Sequence, residues 1–330
     1  MTTLTETRFA YGDALLKLGA ENSQVVVLDA DLYKSTRTVL FKEAYPERFF
    51  DMGISEADMV STAAGLASTG LIPYCNSFAM FLPGVCYMPI RTQIAYPQLP
   101  VRLVGSSAGL TQGPDGASHQ SLEDISLMRA LPNMTVLSPA DDVETTQMTL
   151  ASATIPGPVY MRLGRYPVPR VMPDDYDFQL GMAHVLRSGG DVAILATGHM
   201  VWKALEAADV LSQAHIAASV VNVSTIKPLD ALLVRSIAQQ TALVVTVEEH
   251  NVIGGLGSAV AECLAESGAS APLLRLGVKD VFGESGLADE LLEKHGLQPK
   301  PIAASVQAAL PRRVGSERMS RRQTSAASLQ

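Results

Sequence analysis

The chain has 330 residues, 47% of them hydrophobic, 5% aromatic and 18% charged, with a formal charge of −8. That length and apolar share fit two globular domains and exclude a disordered chain, and the low aromatic content favours an α/β protein over a β-sandwich. The segment from Arg312 to Gln330 holds five arginines against one glutamate, so the other 311 residues carry −12, which argues against nucleic acid or an anionic membrane as a partner.

The first residues, Met1 to Leu18, include Glu6 and Asp13 and no apolar stretch typical of a secretory signal. No apolar run approaches the roughly 18 residues of a membrane-spanning helix. Cys75, Cys86 and Cys263 show no CxxC spacing, so neither a disulfide framework nor a zinc site is expected, and the simplest location is the cytoplasm. Val25–Leu28 is predicted as a buried parallel strand ending at Asp29. Glu56 to Ser68 places Met59, Ala63, Leu66 and Ala67 at helical spacing. Strands are expected at 101–104, 135–137 and 158–161, with helices at 121–131 and 141–153 between them. Alternation of this kind makes crossover units and an open parallel sheet.

Around residues 166–180 the pattern breaks. Pro167, Pro169 and Pro173, with Pro156 and Pro158 just upstream, read as an inter-domain linker. Strands then recur at 191–196, 218–223, 243–247 and 273–276, and helices at 201–212, 231–239, 257–266 and 287–295. The expected organisation is a first domain over 1–165, the linker, a second α/β domain over 181–311 and a disordered tail over 312–330. In open parallel sheets ligands bind at the carboxyl ends of the strands, which locates a site without selecting its chemistry.

Three segments carry chemistry. Glu56 opens a helix in Gly53-Ile-Ser-Glu-Ala-Asp-Met-Val; on its own it is an ordinary first-turn acid, favoured by the helix dipole. Phe78 and Phe81, three apart in Asn76-Ser-Phe-Ala-Met-Phe-Leu, are spaced for one helical face, a pattern that usually means core packing. The Gly-rich loop from Gly105 to Gln120 follows a buried strand and delivers Asp115 and His119 to the ligand-binding edge.

Together these segments resemble the transketolase family of thiamine-diphosphate enzymes. The resemblance continues through Leu131-Pro-Asn-Met-Thr-Val-Leu-Ser-Pro-Ala-Asp, Val159-Tyr-Met-Arg-Leu-Gly-Arg and Val247-Glu-Glu-His-Asn-Val-Ile-Gly-Gly-Leu-Gly, in order, over residues 1 to about 310. It implies two open, mostly parallel α/β domains: a pyrimidine-binding domain and a transketolase carboxyl-terminal domain. It also implies that Glu56 hydrogen-bonds the aminopyrimidine of thiamine diphosphate. A carboxyl there favours the imino tautomer, which takes the thiazolium proton, and this requires a group sheltered enough to keep or share a proton. By the same resemblance, Ile54, Phe78 and Phe81 contact the pyrimidine, with Phe81 the better stacking candidate, and Asp31 lies near the cofactor. Asp115 and His119 bind the donor ketose, with His119 also moving protons. Ser35 and Arg165 meet the sugar phosphate, Arg165 as a bidentate phosphate ligand. Arg162, inside a strand pattern, is the weaker phosphate candidate.

The sequence departs from many full-length members at Ser107, where they place a substrate-binding histidine, at Gly84, where they place a third pocket aromatic, and at Pro114, where an acid often precedes Asp-Gly. The departures at Ser107 and Pro114 bear on the acceptor sugar, and none of the three removes the cofactor machinery. No Gly-Asp-Gly motif, which in this family leads the ligands for Mg2+ and the diphosphate, occurs in the chain. The resemblance therefore implies the second half of a split transketolase: no metal ligands of its own, self-association, and an amino-terminal partner subunit that supplies the Mg2+ site. The Gly254-Gly-Leu-Gly257 cluster lacks the third glycine at the step a dinucleotide fingerprint needs and a ribose-binding acid after the next strand, so it reads as a turn into a helix. His250 is read as structural, with the site entrance as the other possibility. Glu248 and Glu249 are read as structural, and His199 is given no role. Two other readings stay open: a β subunit of a 2-oxo-acid dehydrogenase or a deoxyxylulose-phosphate-synthase-like enzyme, and a non-catalytic subunit that kept the fold.

Overall fold

Short runs of Val, Ile, Leu and Ala form most of the strands, and helices cover both faces of each main sheet. The computed structural model describes residues 4–269 and 271–311; the tail expected to be disordered lies outside them. In chain order the strands are β1 (Leu4–Thr5), β2 (Val25–Asp29), β3 (Phe49–Asp51), β4 (Ile72–Phe78), β5 (Arg102–Ser106), β6 (Thr135–Leu137) and β7 (Val159–Arg162). They continue as β8 (Val168–Pro169), β9 (His184–Arg187), β10 (Val192–Ala196), β11 (Ala218–Asn222), β12 (Thr225–Lys227), β13 (Leu243–Asn251) and β14 (Leu273–Val278).

The first sheet has the order β12-β6-β7-β5-β4-β2-β3 and the second β14-β13-β10-β11-β9. All neighbours within them are parallel except the edge strands β12 and β9. Every residue of β2, β5, β7, β10 and β11 is buried, as strands covered on both faces must be. On one face of the first sheet Tyr11, Leu15 and Leu18 of helix Thr7–Glu21 share a core with Met148 of helix Asp142–Ser152. On the other, Met59, Val60 and Ala63 of helix Glu56–Ser68 pack with Leu82, Cys86, Ile125 and Met128. Helices Met200–Gln213 and Pro299–Ala309 cover one side of the second sheet, and Ala231–Gln240 and Leu256–Ser267 the other.

The two sheets are joined more closely than a linker implies. The edge strand β12 comes from the second half of the chain, yet pairs antiparallel with β6 of the first sheet. Lys227 then donates from Nζ to the Arg129 and Leu131 carbonyls, at 2.9 and 2.5 Å. Leu110 and Leu122 of the first half contribute to the core of the second. Arg162 donates from Nε to Asp124 Oδ2 within the first half at 2.9 Å, and from Nη2 across to the Glu249 carbonyl of the second half at 2.8 Å. Arg162 is thus a buried tie between elements, in keeping with its weaker claim as a phosphate ligand.

Candidate active site

The parallel strands of the first sheet all end on one edge. Asp31 follows β2, Ile54 and Glu56 follow β3, Phe78 ends β4, Asp115 and His119 lie on the loop after β5, and Arg165 follows β7. The topology therefore delivers every candidate site residue to the ligand-binding edge of an open α/β sheet.

Glu56 is the first residue of helix Glu56–Ser68 and is buried, at 8% exposure. Its Oε1 accepts from Ser77 Oγ at 2.9 Å; no described residue bonds its Oε2. Ser77 lies in β4 and is fully buried. Residue 76 anchors the same strand: Asn76 Nδ2 donates to the Leu28 carbonyl at 3.1 Å, and Tyr11 OH donates to Asn76 Oδ1 at 2.6 Å. Behind the helix, burial and then the Glu56 carboxyl push the Cys86 thiol up to about 12, so that cysteine stays a neutral, unreactive thiol.

Phe78 and Phe81 do not share a helical face. Phe78 is the last residue of β4 and Phe81 the first of helix Phe81–Pro89. The sharp strand-to-helix corner stacks their rings, with centroids 6.0 Å apart and planes 23° from parallel. His119 stands edge-on to both, 6.2 Å from Phe78 and 5.3 Å from Phe81. The three rings form one aromatic wall, the geometry in which such pairs add about 0.5–1.5 kcal/mol beyond burial. Ser118 Oγ lies 3.0 Å from His119 Nδ1.

Asp115 and Arg165 meet as a second pair, with Arg165 Nη1 3.6 Å from Asp115 Oδ2. Both side chains are more than 40% exposed, so each is open to a ligand and the pair itself adds little stability. Asp31 and Ser35 do not touch the other candidates. Asp31 takes a positive φ of 59° immediately beyond β2, and the Ser35 carbonyl accepts from Arg8 Nη1 at 2.8 Å. Ile54 is 86% exposed and packs on no pocket ring within this chain. Gly84 is exposed, with open space where a side chain would project. Ser107 is buried in the left-handed region, at φ 58°, with its Oγ unbonded.

Sequence reasoning passed over several residues that the fold brings to this edge. Ser77, a single small polar residue in a strand, gives no signal except its place between Asn76 and Phe78. Arg8, on the first helix, is largely buried and sets a guanidinium beside Ser35. Glu249 of β13 accepts the Thr111 backbone N–H, and its Oε2 lies 3.5 Å from His199 Nδ1. His199 packs so closely on Gly164 that a Cβ at that position would lie 1.6 Å from the ring. His250 is fully buried: its ring stands beside the Asn251 carbonyl, at 2.7 Å, and burial holds it down at about 4, so the structural reading stands and the entrance is excluded. Glu248 caps helix Leu256–Ser267 by accepting the Leu256 and Gly257 N–H groups at 2.7 and 2.8 Å. That carboxyl, pushed by burial up to about 7, fills the helix terminus where a dinucleotide phosphate would have to sit.

Two family models match the chain: the transketolase pyrimidine-binding domain over residues 4–170 and the transketolase carboxyl-terminal domain over residues 181–302. The chain belongs to the transketolase family. It is 44% identical over 301 residues to a putative transketolase C-terminal section of Methanocaldococcus jannaschii, covering 91% of this chain and 94% of that protein. It is 45% identical over 295 residues to a 6-deoxy-6-sulfo-D-fructose transketolase subunit, SqwH, of a Clostridium strain, covering 89% and 91%. Among solved structures, a split-gene transketolase described as an inactive β4 tetramer superposes with a TM-score of 0.86 at 50% identity, over 92% of this chain and 98% of that one. The transketolase of Campylobacter jejuni, at 23% identity and a TM-score of 0.79, shares the fold. The chain spans about half of the 1-deoxy-D-xylulose-5-phosphate synthase of Thermomicrobium roseum, to which it is 38% identical. In extent it thus corresponds to the carboxyl-terminal subunit of a split transketolase. Among the described residues no cluster of His, Cys, Asp and Glu is arranged to hold a metal, and no helix is long and apolar enough to cross a membrane.

Proposed function

We propose that this chain is the pyrimidine-binding, carboxyl-terminal subunit of a two-subunit transketolase that moves a two-carbon ketol unit between sugar phosphates. One observation carries the reading. A buried glutamate, Glu56, is oriented through one oxygen by Ser77 and keeps the other unbonded, on the same strand edge as the Phe78–Phe81–His119 wall. A carboxyl acid with one oxygen held and one free suits a nitrogen heterocycle, and stacked aromatics suit its faces. Those are the features that the aminopyrimidine of thiamine diphosphate requires. When bound, the cofactor supplies the nucleophilic carbon that attacks the donor ketone.

In this reading Glu56 holds a proton at Oε2 and bonds the pyrimidine, and Ser77 keeps that carboxyl in register. Phe78, Phe81 and Ile54 bound the ring, and Asp31 stands near the cofactor. His119 binds the donor sugar and transfers protons, with Asp115 taking a sugar hydroxyl. Arg165 and Ser35 meet the terminal phosphate. Mg2+ and its ligands come from a separate amino-terminal subunit, a reading supported by the near full-length similarity to a transketolase C-terminal section and to a split-gene transketolase. Ile54, bare in the lone chain, belongs to the side that this subunit covers. Self-association accompanies that pairing, a two-plus-two assembly in the cytoplasm.

The test is turnover of the reconstituted complex with xylulose 5-phosphate against pyruvate. Ketol transfer is expected and decarboxylation is not; the reverse result selects the 2-oxo-acid dehydrogenase reading. Glu56→Ala should abolish turnover, and full activity in that variant would mark the chain as a non-catalytic subunit. The similarity to the sulfo-sugar transketolase subunit favours a second substrate reading, in which Arg165 meets a sulfonate. A 6-deoxy-6-sulfo-ketose assayed beside the phosphate decides between them.

A further inference from the structure

Gln120 follows His119 directly and is 2% exposed. Its Nε2 lies 3.3 Å from the Leu110 carbonyl oxygen, 3.0 Å from that of Gly113 and 2.9 Å from that of Glu284. Three acceptors converge on one amide nitrogen, and turning the amide over would set its oxygen against all three, so the network fixes its orientation. Leu110 and Gly113 belong to the 3-10 segment Leu110–Asp115, whereas Glu284 follows β14 in the second half of the chain. The contact has no slack. A Cβ on Gly283 would lie 1.8 Å from Gln120 Oε1, and one on Gly116, at φ +73°, would lie 2.6 Å from Ser285 Oγ. The turn that carries Asp115 and leads to His119 is therefore clamped between its own strand edge and residues 283–286.

We propose that Gln120 is a positioning residue through which the carboxyl-terminal domain sets the placement of Asp115 and His119 toward the donor sugar. Gln120 meets no substrate itself; it bonds backbone carbonyls on both sides of the domain boundary. Glu249 holds the same turn at Thr111, so Gln120 supplies the second of two struts and controls the end nearer His119. The kinetic part of this inference rests on the transketolase reading; the structural part does not.

The experiment compares Gln120→Ala, Gly283→Ala and the double variant. In each purified chain, amide hydrogen exchange over residues 110–120 is measured; in the complex reconstituted with the amino-terminal subunit, donor KM, kcat and the apparent affinity for thiamine diphosphate are measured. Each single variant should speed exchange over 110–120 and raise donor KM about tenfold, the scale of one lost buried hydrogen bond, with cofactor affinity unchanged. The double variant should be no worse than Gln120→Ala alone, because the side chain that a methyl at 283 strikes is gone. If Gln120→Ala does not fold, Gln120→Met, which keeps the volume and removes the donors, takes its place. Unchanged exchange, fully additive effects, or loosened exchange with donor KM unmoved in an active complex would overturn the proposal. Non-additive exchange among the purified variants, together with a wild-type complex that transfers no ketol, would overturn the transketolase reading and leave the clamp standing.

Discussion

Ser77→Ala removes one oxygen and isolates what holds Glu56 in place. Ser77 is fully buried, and its Oγ–Glu56 Oε1 bond of 2.9 Å is the only hydrogen bond that the Glu56 side chain makes among the described residues. A hydrogen bond to a charged or proton-sharing group contributes about 1.5–3 kcal/mol. If that energy is realised as orientation of the carboxyl in the transition state, its loss lowers kcat by about 10- to 100-fold, since 1.36 kcal/mol is a factor of ten. The methyl left in place of the hydroxymethyl keeps β4 and its neighbours in place, so unfolding of the chain in urea should shift by no more than about 1–2 kcal/mol. The assay pairs initial rates of ketol transfer in the reconstituted complex with urea unfolding of the isolated subunit. A variant with wild-type kcat and wild-type stability would refute the argument that Ser77 orients Glu56.

Three further outcomes follow from the same structure. Burial pushes Asp29 from 3.8 up to about 6 despite its bonds from Thr36, Thr38 and Leu32; below both values the folded and unfolded states are alike protonated, and between them only the unfolded chain releases the proton. Relative to Asp29→Asn, the wild type should thus lose roughly 3 kcal/mol of stability as pH rises from about 4 to about 6, and a difference that stays flat in urea titrations over that range contradicts the assignment. Asp124→Asn leaves the Arg162 guanidinium buried without its carboxylate and takes the charge from the acceptor of Tyr160 OH at 2.7 Å; calorimetric or urea unfolding should show a loss of about 3–5 kcal/mol, and a loss under 1 would mean that the pair is not the tie described. Ile54→Asp, at a residue 86% exposed, should leave the isolated chain within about 0.5 kcal/mol of wild type while weakening assembly with the amino-terminal subunit in sedimentation; unaltered assembly removes Ile54 from that interface.

Much of the fold was legible because buried parallel strands announce themselves. Val25–Asp29, Thr135–Leu137 and Val192–Ala196 are short apolar runs next to amphipathic helices, and helix Glu56–Ser68 begins and ends where its small-residue spacing places it. Less was legible where pairing partners are distant. The strand Thr225–Lys227 has three residues and crosses to the other sheet, a contact that no local period encodes. The Phe78–Phe81 spacing suits a helix, but a strand ends between the two residues, so the stacking comes from a corner rather than a face. The site candidates were legible through motif resemblance; the residues that pack and bond around them were not. Ser77, Arg8, Gln120 and the His199–Glu249 pair act through contacts with residues 21 or more positions away in most cases, and a lone serine or glutamine carries no periodic or compositional signal.

The central claim is that this subunit offers half of a cofactor site whose other half lies on a different chain. Titration of thiamine diphosphate with Mg2+ into this chain alone, into the amino-terminal subunit alone and into their mixture tests it most directly, with ketol transfer followed in the same samples. Saturable tight binding and turnover should appear in the mixture, and turnover should vanish there with Glu56→Ala. Tight binding and transfer by the isolated chain would contradict the account.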